Sequence, residues 1–132
     1  MIILIKNVIG FDVCRDGGTL VAQYEGYRGR KYCLDFPVDH KAIVEDGKFI
    51  DLEFVGYKSP VLTTYKPDFY KSPVTGIESP KTSESKRDVS WSYACKVLSK
   101  LKPLVAKANL EREDIYQKMV EVAGNGGARK NS

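Results

Sequence analysis

The sequence predicts an α+β domain: an antiparallel β-meander or small β-barrel of about five to six strands, followed by one or two C-terminal helices that pack on the sheet. Three observations lead there. Residues 19–36 alternate apolar and polar side chains on either side of a glycine-bounded loop. Two Asp-Gly pairs, Asp16-Gly17 and Asp46-Gly47, mark tight hairpin turns. Beyond residue 88 the apolar period lengthens from two residues to that of a helix.

The hairpin over 19–36 anchors the prediction. Leu20, Ala22 and Tyr24 share one face of its first strand, and Tyr32, Leu34 and Phe36 share one face of its second. With Arg28 at the apex of the loop from Gly26 to Arg30, Tyr24 falls opposite Tyr32, Ala22 opposite Leu34 and Leu20 opposite Phe36. The apolar faces then coincide, and that coincidence fixes the register.

The earlier segments join the same core. Residues 1–5 are apolar and rich in β-branched side chains, which predicts a short buried strand. Ile9, Phe11 and Val13 alternate with Gly10, Asp12 and Cys14, and a turn at Asp16-Gly17 sets Val13 opposite Leu20 and Phe11 opposite Ala22. Pro37 is expected to end the central hairpin, because it has no N–H for the ladder. The turn at Asp46-Gly47 pairs Ile43 with Ile50, and Ile50, Leu52 and Phe54 alternate with Asp51 and Glu53. Residues 61–65 complete the sheet.

Composition changes after residue 65. Pro67, Pro73, Gly76 and Pro80 interrupt residues 66–87, and a Thr/Ser/Glu/Lys run follows. An extended arm leading into a mobile linker is expected. Asp88 or Ser90 caps a helix whose apolar arc is Trp91, Ala94, Leu98, Leu101 and Val105, with Lys96, Lys100 and Lys107 opposite. Pro103 predicts a kink or a restart. Asn109 is placed as the cap of a last helix, acidic in its first turn at Glu111, Glu113 and Asp114 and apolar along Ile115, Met119 and Val122. Gly124 to Gly127 is expected to stop that helix, leaving 124–132 as a flexible tail. The domain plan is thus a single domain over 1–132: sheet in 1–65, arm and linker in 66–87, helices in 88–123. Burying Trp91, Leu98 and Leu101 would stabilise helix docking by about 1.5–3 kcal/mol per side chain.

At 132 residues the chain can bury a core without staples. No apolar run approaches a membrane span and no basic segment precedes residues 1–5 as in a signal peptide, so a cytoplasmic location is expected. Cys14, Cys33 and Cys95 are odd in number and lack CxxC spacing, which points to reduced thiols rather than disulfides or a zinc site. No metal or other cofactor is implied. The net charge of +4 is uneven: residues 1–65 carry eight Lys/Arg against nine Asp/Glu, and residues 66–132 carry thirteen against eight.

Catalytic constellations are scarce. His40 is the single histidine; it follows Asp39 in a polar turn between strands, where an exposed, idle side chain is expected. Cys14 and Cys33 fall on the strand face opposite the core, Cys95 lies at the edge of the helical arc, and no nucleotide-loop, nucleophile-elbow or metal-protease spacing occurs. Asp51 and Glu53 are successive outward residues of one strand. The expectation is therefore no enzymatic activity.

Binding has more support. Aromatic–cation neighbours recur as Tyr27-Arg28, Tyr57-Lys58, Tyr65-Lys66 and Tyr70-Lys71, with Arg30 beside the first. Tyrosines that stack bases beside cations that hold phosphates are the equipment of single-stranded nucleic-acid binders. The leading expectation is a non-catalytic module binding single-stranded nucleic acid through Tyr27, Arg28, Arg30, Tyr57, Lys58, Tyr65, Lys66, Tyr70 and Lys71. The alternative is a protein-binding inhibitor, immunity or accessory factor of the phage or mobile-element type, using much the same surface. Edge lysines and strand tyrosines also occur for purely structural reasons, so the discriminating question is whether these residues share one face.

Overall fold

The described residues form six strands and two helices: β1 (Asn7–Cys14), β2 (Thr19–Glu25), β3 (Lys31–Glu45), β4 (Lys48–Gly56), β5 (Val61–Lys71), β6 (Glu78–Asp88), α1 (Trp91–Ala108) and α2 (Glu113–Lys130). The computed structural model describes residues 3–14, 18–56, 58–108 and 112–130. All strand pairs are antiparallel. The sheet order is β1-β2-β3-β5-β6, with β4 paired to the outer half of β3, so the sheet stays open rather than closing into a barrel.

The central hairpin adopts the register that its alternation predicts, with Leu20 opposite Phe36, Ala22 opposite Leu34 and Tyr24 opposite Tyr32. β1 adds Val13 opposite Leu20 and Phe11 opposite Ala22. The turn at Asp16-Gly17 lies outside the described residues. A bulge between Val8 and Gly10 departs from simple alternation: it turns Val8 into the core and leaves Ile9 exposed.

Several expectations are corrected. Residues 3–6 form no strand; the Lys6 N–H donates to the Glu25 carbonyl at 2.8 Å and Leu4 is exposed, so this stretch has one backbone tether and no ladder. Met1 and Ile2 lie outside the described residues. Pro37 does not end β3. It sits where the strand changes partners, from β2 and β5 before it to β4 after it, so its missing N–H costs no ladder bond. His40 is consequently a strand residue opposite Phe54. Asp46 and Gly47 do make the two-residue turn, both with positive φ, but a bulge after Ile43 pairs it with Asp51 instead of Ile50.

The largest correction concerns residues 66–87. They are no linker: β5 and β6 pair along eleven positions from Val61↔Asp88 to Lys71↔Glu78. Ser72 closes the end, its Oγ accepting from the Val74 and Thr75 N–H groups while its own N–H donates to the Ile77 carbonyl. Beyond Tyr65 nearly every side chain of this ribbon is exposed.

The helices cover one face. Ser90 is the N-cap of α1, its Oγ accepting from the Tyr93 N–H at 3.0 Å. The α1 stripe of Ala94, Val97, Leu98, Leu101 and Val105 is buried, and the helix runs through Pro103 without a break. Asn109 and Glu111 lie outside the described residues. α2 buries Ile115, Tyr116, Met119, Val122 and Ala123, and its helical backbone continues past the glycines to Lys130. One apolar cluster joins β1, β2, β3, β5 and both helices. The Tyr116 hydroxyl donates to the Leu98 carbonyl at 2.8 Å, tying α2 to α1.

Candidate functional site

Strand alternation leaves the helix-facing side of the sheet uncovered beyond the start of α1, and a groove of about 380 Å³ opens there. Its floor is aromatic and aliphatic. Tyr24 and Tyr32, directly opposite each other on β2 and β3, stack with centroids 5.1 Å apart and planes 14° from parallel. Leu62 and Thr64 continue the floor on β5, and Tyr93 from the first turn of α1 closes one side.

Three cations line the groove. The β2–β3 loop, held by the Gly26 N–H to the Arg30 carbonyl at 2.9 Å, delivers Arg30 just before β3 begins. Lys31 pairs with Tyr65, so one further step along the two strands brings Arg30 level with Lys66. Arg87, opposite Leu62 on β6, lies with its guanidinium carbon 5.7 Å from the centre of the Tyr93 ring. Among the described residues no carboxylate lines the groove. Nor do Arg30, Lys66 or Arg87 form an ion pair among the described residues. Burial pushes the Tyr24 phenol far above its ordinary range; Tyr93 and Tyr32 add to this while Arg87 opposes it. Tyr24 therefore stays neutral.

The anticipated binding residues divide. Arg30 and Lys66 meet in the groove. Tyr27 and Arg28 stand exposed at the hairpin tip, where Arg28 takes a positive φ of 64°. Tyr65 lies on the reverse face of the sheet, opposite Glu84. Tyr70 and Lys71 lie far out on β5, Tyr70 on the groove side and Lys71 on the reverse. Lys58 is exposed in the β4–β5 connection at the other end of β5, and Tyr57 lies outside the described residues. The aromatic–cation pairs of β5 split because consecutive strand residues point to opposite faces. Sequence reasoning places Arg87 in a linker, where with Lys86 it could extend the cationic track, puts Tyr32 on the core face of its hairpin and gives Tyr93 no role; β6 and the first turn of α1 bring Arg87 and Tyr93 to the groove.

The reverse face carries a different group. The Cys33 Sγ donates to Asp35 Oδ2 at 3.8 Å, and the thiol is pushed up to about 11, first by burial and then by Asp35. Asp35 is itself raised, chiefly by burial. A thiol held protonated is a poor nucleophile. Among the described residues no three His, Cys, Asp or Glu side chains cluster to hold a metal, and no helix is long and apolar enough to cross a membrane. No protein-family model matches this chain, and neither does any curated protein or solved structure.

Proposed function

We propose that the protein is a non-catalytic module that binds single-stranded nucleic acid in the tyrosine-floored groove. One observation carries this reading: Arg30, Lys66 and Arg87 converge over stacked tyrosines with no carboxylate among them. The guanidinium groups and the Lys66 ammonium hold phosphates. Tyr32 and Tyr93, both half-buried, offer ring faces to bases, while the buried Tyr24 braces Tyr32 from beneath. The groove has the size of a small-molecule pocket and takes one unpaired nucleotide rather than a duplex. Supporting the non-catalytic part, His40 lies against Gly18, outside the groove, and the Cys33 thiol faces the other way.

A second reading rests on the β3–β4 hairpin, where Ile43, Val44, Phe49 and Ile50 are exposed together near the turn. Such a tip suits a protein partner and favours the inhibitor or accessory-factor alternative.

Fluorescence anisotropy with labelled single-stranded and duplex oligonucleotides, at low and physiological salt, separates the two. Preference for single strands is expected, and Arg30→Ala/Arg87→Ala should lower the salt slope by about 1.4, at roughly 0.7 per lost phosphate contact. Arg28→Ala, at the tip, should change binding less. Absence of binding at low salt would overturn the nucleic-acid reading and turn attention to protein partners of the β3–β4 tip.

A further inference from the structure

We propose that the site extends beyond the groove: a bound single strand continues along the groove-side face of the β5–β6 ribbon, over Lys81, to Tyr70. This rests on the nucleic-acid reading of the groove and adds its extent and direction. The ribbon carries its charges unequally. In the β5–β6 register, Lys66 faces Ser83, Asp68 faces Lys81 and Leu62 faces Arg87, so these residues share the groove side. Lys71 with Glu78, Glu84 with Tyr65, Lys86 with Thr63 and Asp88 with Val61 occupy the reverse. The groove side thus holds three cations and one carboxylate, and the reverse holds two cations and three carboxylates.

The one carboxylate on the groove side is already engaged. Asp68 accepts from the Phe69 N–H at 2.8 Å and from the Ser83 hydroxyl at 3.2 Å. These bonds hold its carboxyl below the ordinary range, and Lys81 opposite adds to the effect. The remaining groove-side positions of β6 are Ser79, Ser83 and Ser85, small side chains that leave a shelf across the ribbon. At its outer end Tyr70 is 52 % exposed beside Ser79, a ring available for stacking. With a rise of about 3.4 Å per residue, Tyr70 stands about 14 Å beyond Lys66, farther than one groove-bound nucleotide reaches. Charge sorted to the groove side, with an aromatic at the far end, fits a continuing phosphodiester strand.

The test compares a thymidine dinucleotide, too short to reach from the groove to Tyr70, with an oligothymidylate of about twelve nucleotides, within the range that one small binding domain covers. Lys81→Ala/Tyr70→Ala should weaken the longer oligonucleotide about tenfold and leave the shorter one unchanged. Lys71→Ala/Lys86→Ala removes two positive charges from the reverse face, against one from the groove side, and should affect neither. Circular dichroism of each variant establishes that it is folded; all four positions are exposed. An unchanged affinity of Lys81→Ala/Tyr70→Ala for the longer oligonucleotide, with Arg30→Ala/Arg87→Ala still impaired, would overturn the extension and leave the groove standing. Equal losses from the two faces would overturn it as well, reducing the effect to net charge. Failure of both oligonucleotides to bind the unaltered protein would remove the groove reading and this inference together.

Discussion

Cys33 shows how strand position decides the chemistry of a side chain. On β3, one residue from the buried Leu34, it points to the reverse face and is only half-buried. Its thiol is nevertheless pushed up to about 11 by burial and by Asp35. A folded-state value above the unfolded one means that the thiol proton stabilises the fold fully below about 9, and that this contribution is lost as pH rises through about 11. Thermal melting of the wild type and Cys33→Ala between pH 8 and 11 should therefore converge, the wild type losing stability faster as the thiol ionises. Tyr24, raised chiefly by burial and least by Cys33, is present in both proteins, so most of its effect cancels in the comparison. A constant difference in Tm across that range would show that Cys33 ionisation is not linked to folding. The same shift makes Cys14, which is exposed, the faster thiol to alkylate at pH 8.

At the scale of elements, the β5–β6 ribbon is the part with least to hold it. Residues 61–65 of β5 lie between β3 and β6, whereas beyond Lys66 each strand has only the other as neighbour and both faces meet solvent. A two-stranded ribbon without a buried face is marginal by itself. Hydrogen exchange should separate the two parts: amides of Leu62 and Thr64 exchanging with the core, those of Phe69, Tyr70, Ser79 and Lys81 orders of magnitude faster. Uniform protection along β5 would contradict this division. The ribbon also marks the limit of what the sequence discloses. Where one face is buried, as in residues 19–36, alternation specifies register pair by pair. Where both faces are wet, polar side chains occupy both, Ser79, Lys81, Ser83 and Ser85 alternating with Glu78, Thr82, Glu84 and Lys86, so no apolar period appears and strand reads as linker. Bulges at Ile9 and near Ile50 were hidden for another reason: an inserted residue leaves no compositional trace. The site followed suit. Arg30 and Lys66 were legible as cations near tyrosines, and Lys86-Arg87 as an extension of their track, but only β6 shows that Arg87 turns into the groove while Lys86 turns to the reverse.

The whole molecule is fastened where its layers converge on Trp91. Its ring lies 5.9 Å from Phe36 of β3, and a methyl group on Gly56 of β4 would come within 2.7 Å of the Trp91 ring and 3.1 Å of Val122 of α2. Sheet, first helix and second helix thus meet at one glycine that has no room for a side chain. The Trp91 Nε1 is buried with no hydrogen-bond partner among the described residues, so packing rather than polarity holds the indole there. Gly56→Ala should cost about 1–3 kcal/mol by overpacking, the only escape being displacement of the indole or of α2. Because a single apolar cluster spans the sheet and both helices, that loss should fall on the whole fold. Denaturant unfolding followed by Trp91 fluorescence and by far-ultraviolet circular dichroism should give coincident transitions in the wild type. In Gly56→Ala both should move to lower denaturant together with the slope unchanged. Separation of the two curves, fluorescence preceding loss of helix, would mean that the helices and the sheet unfold as distinct units and that the Trp91 junction joins them only weakly.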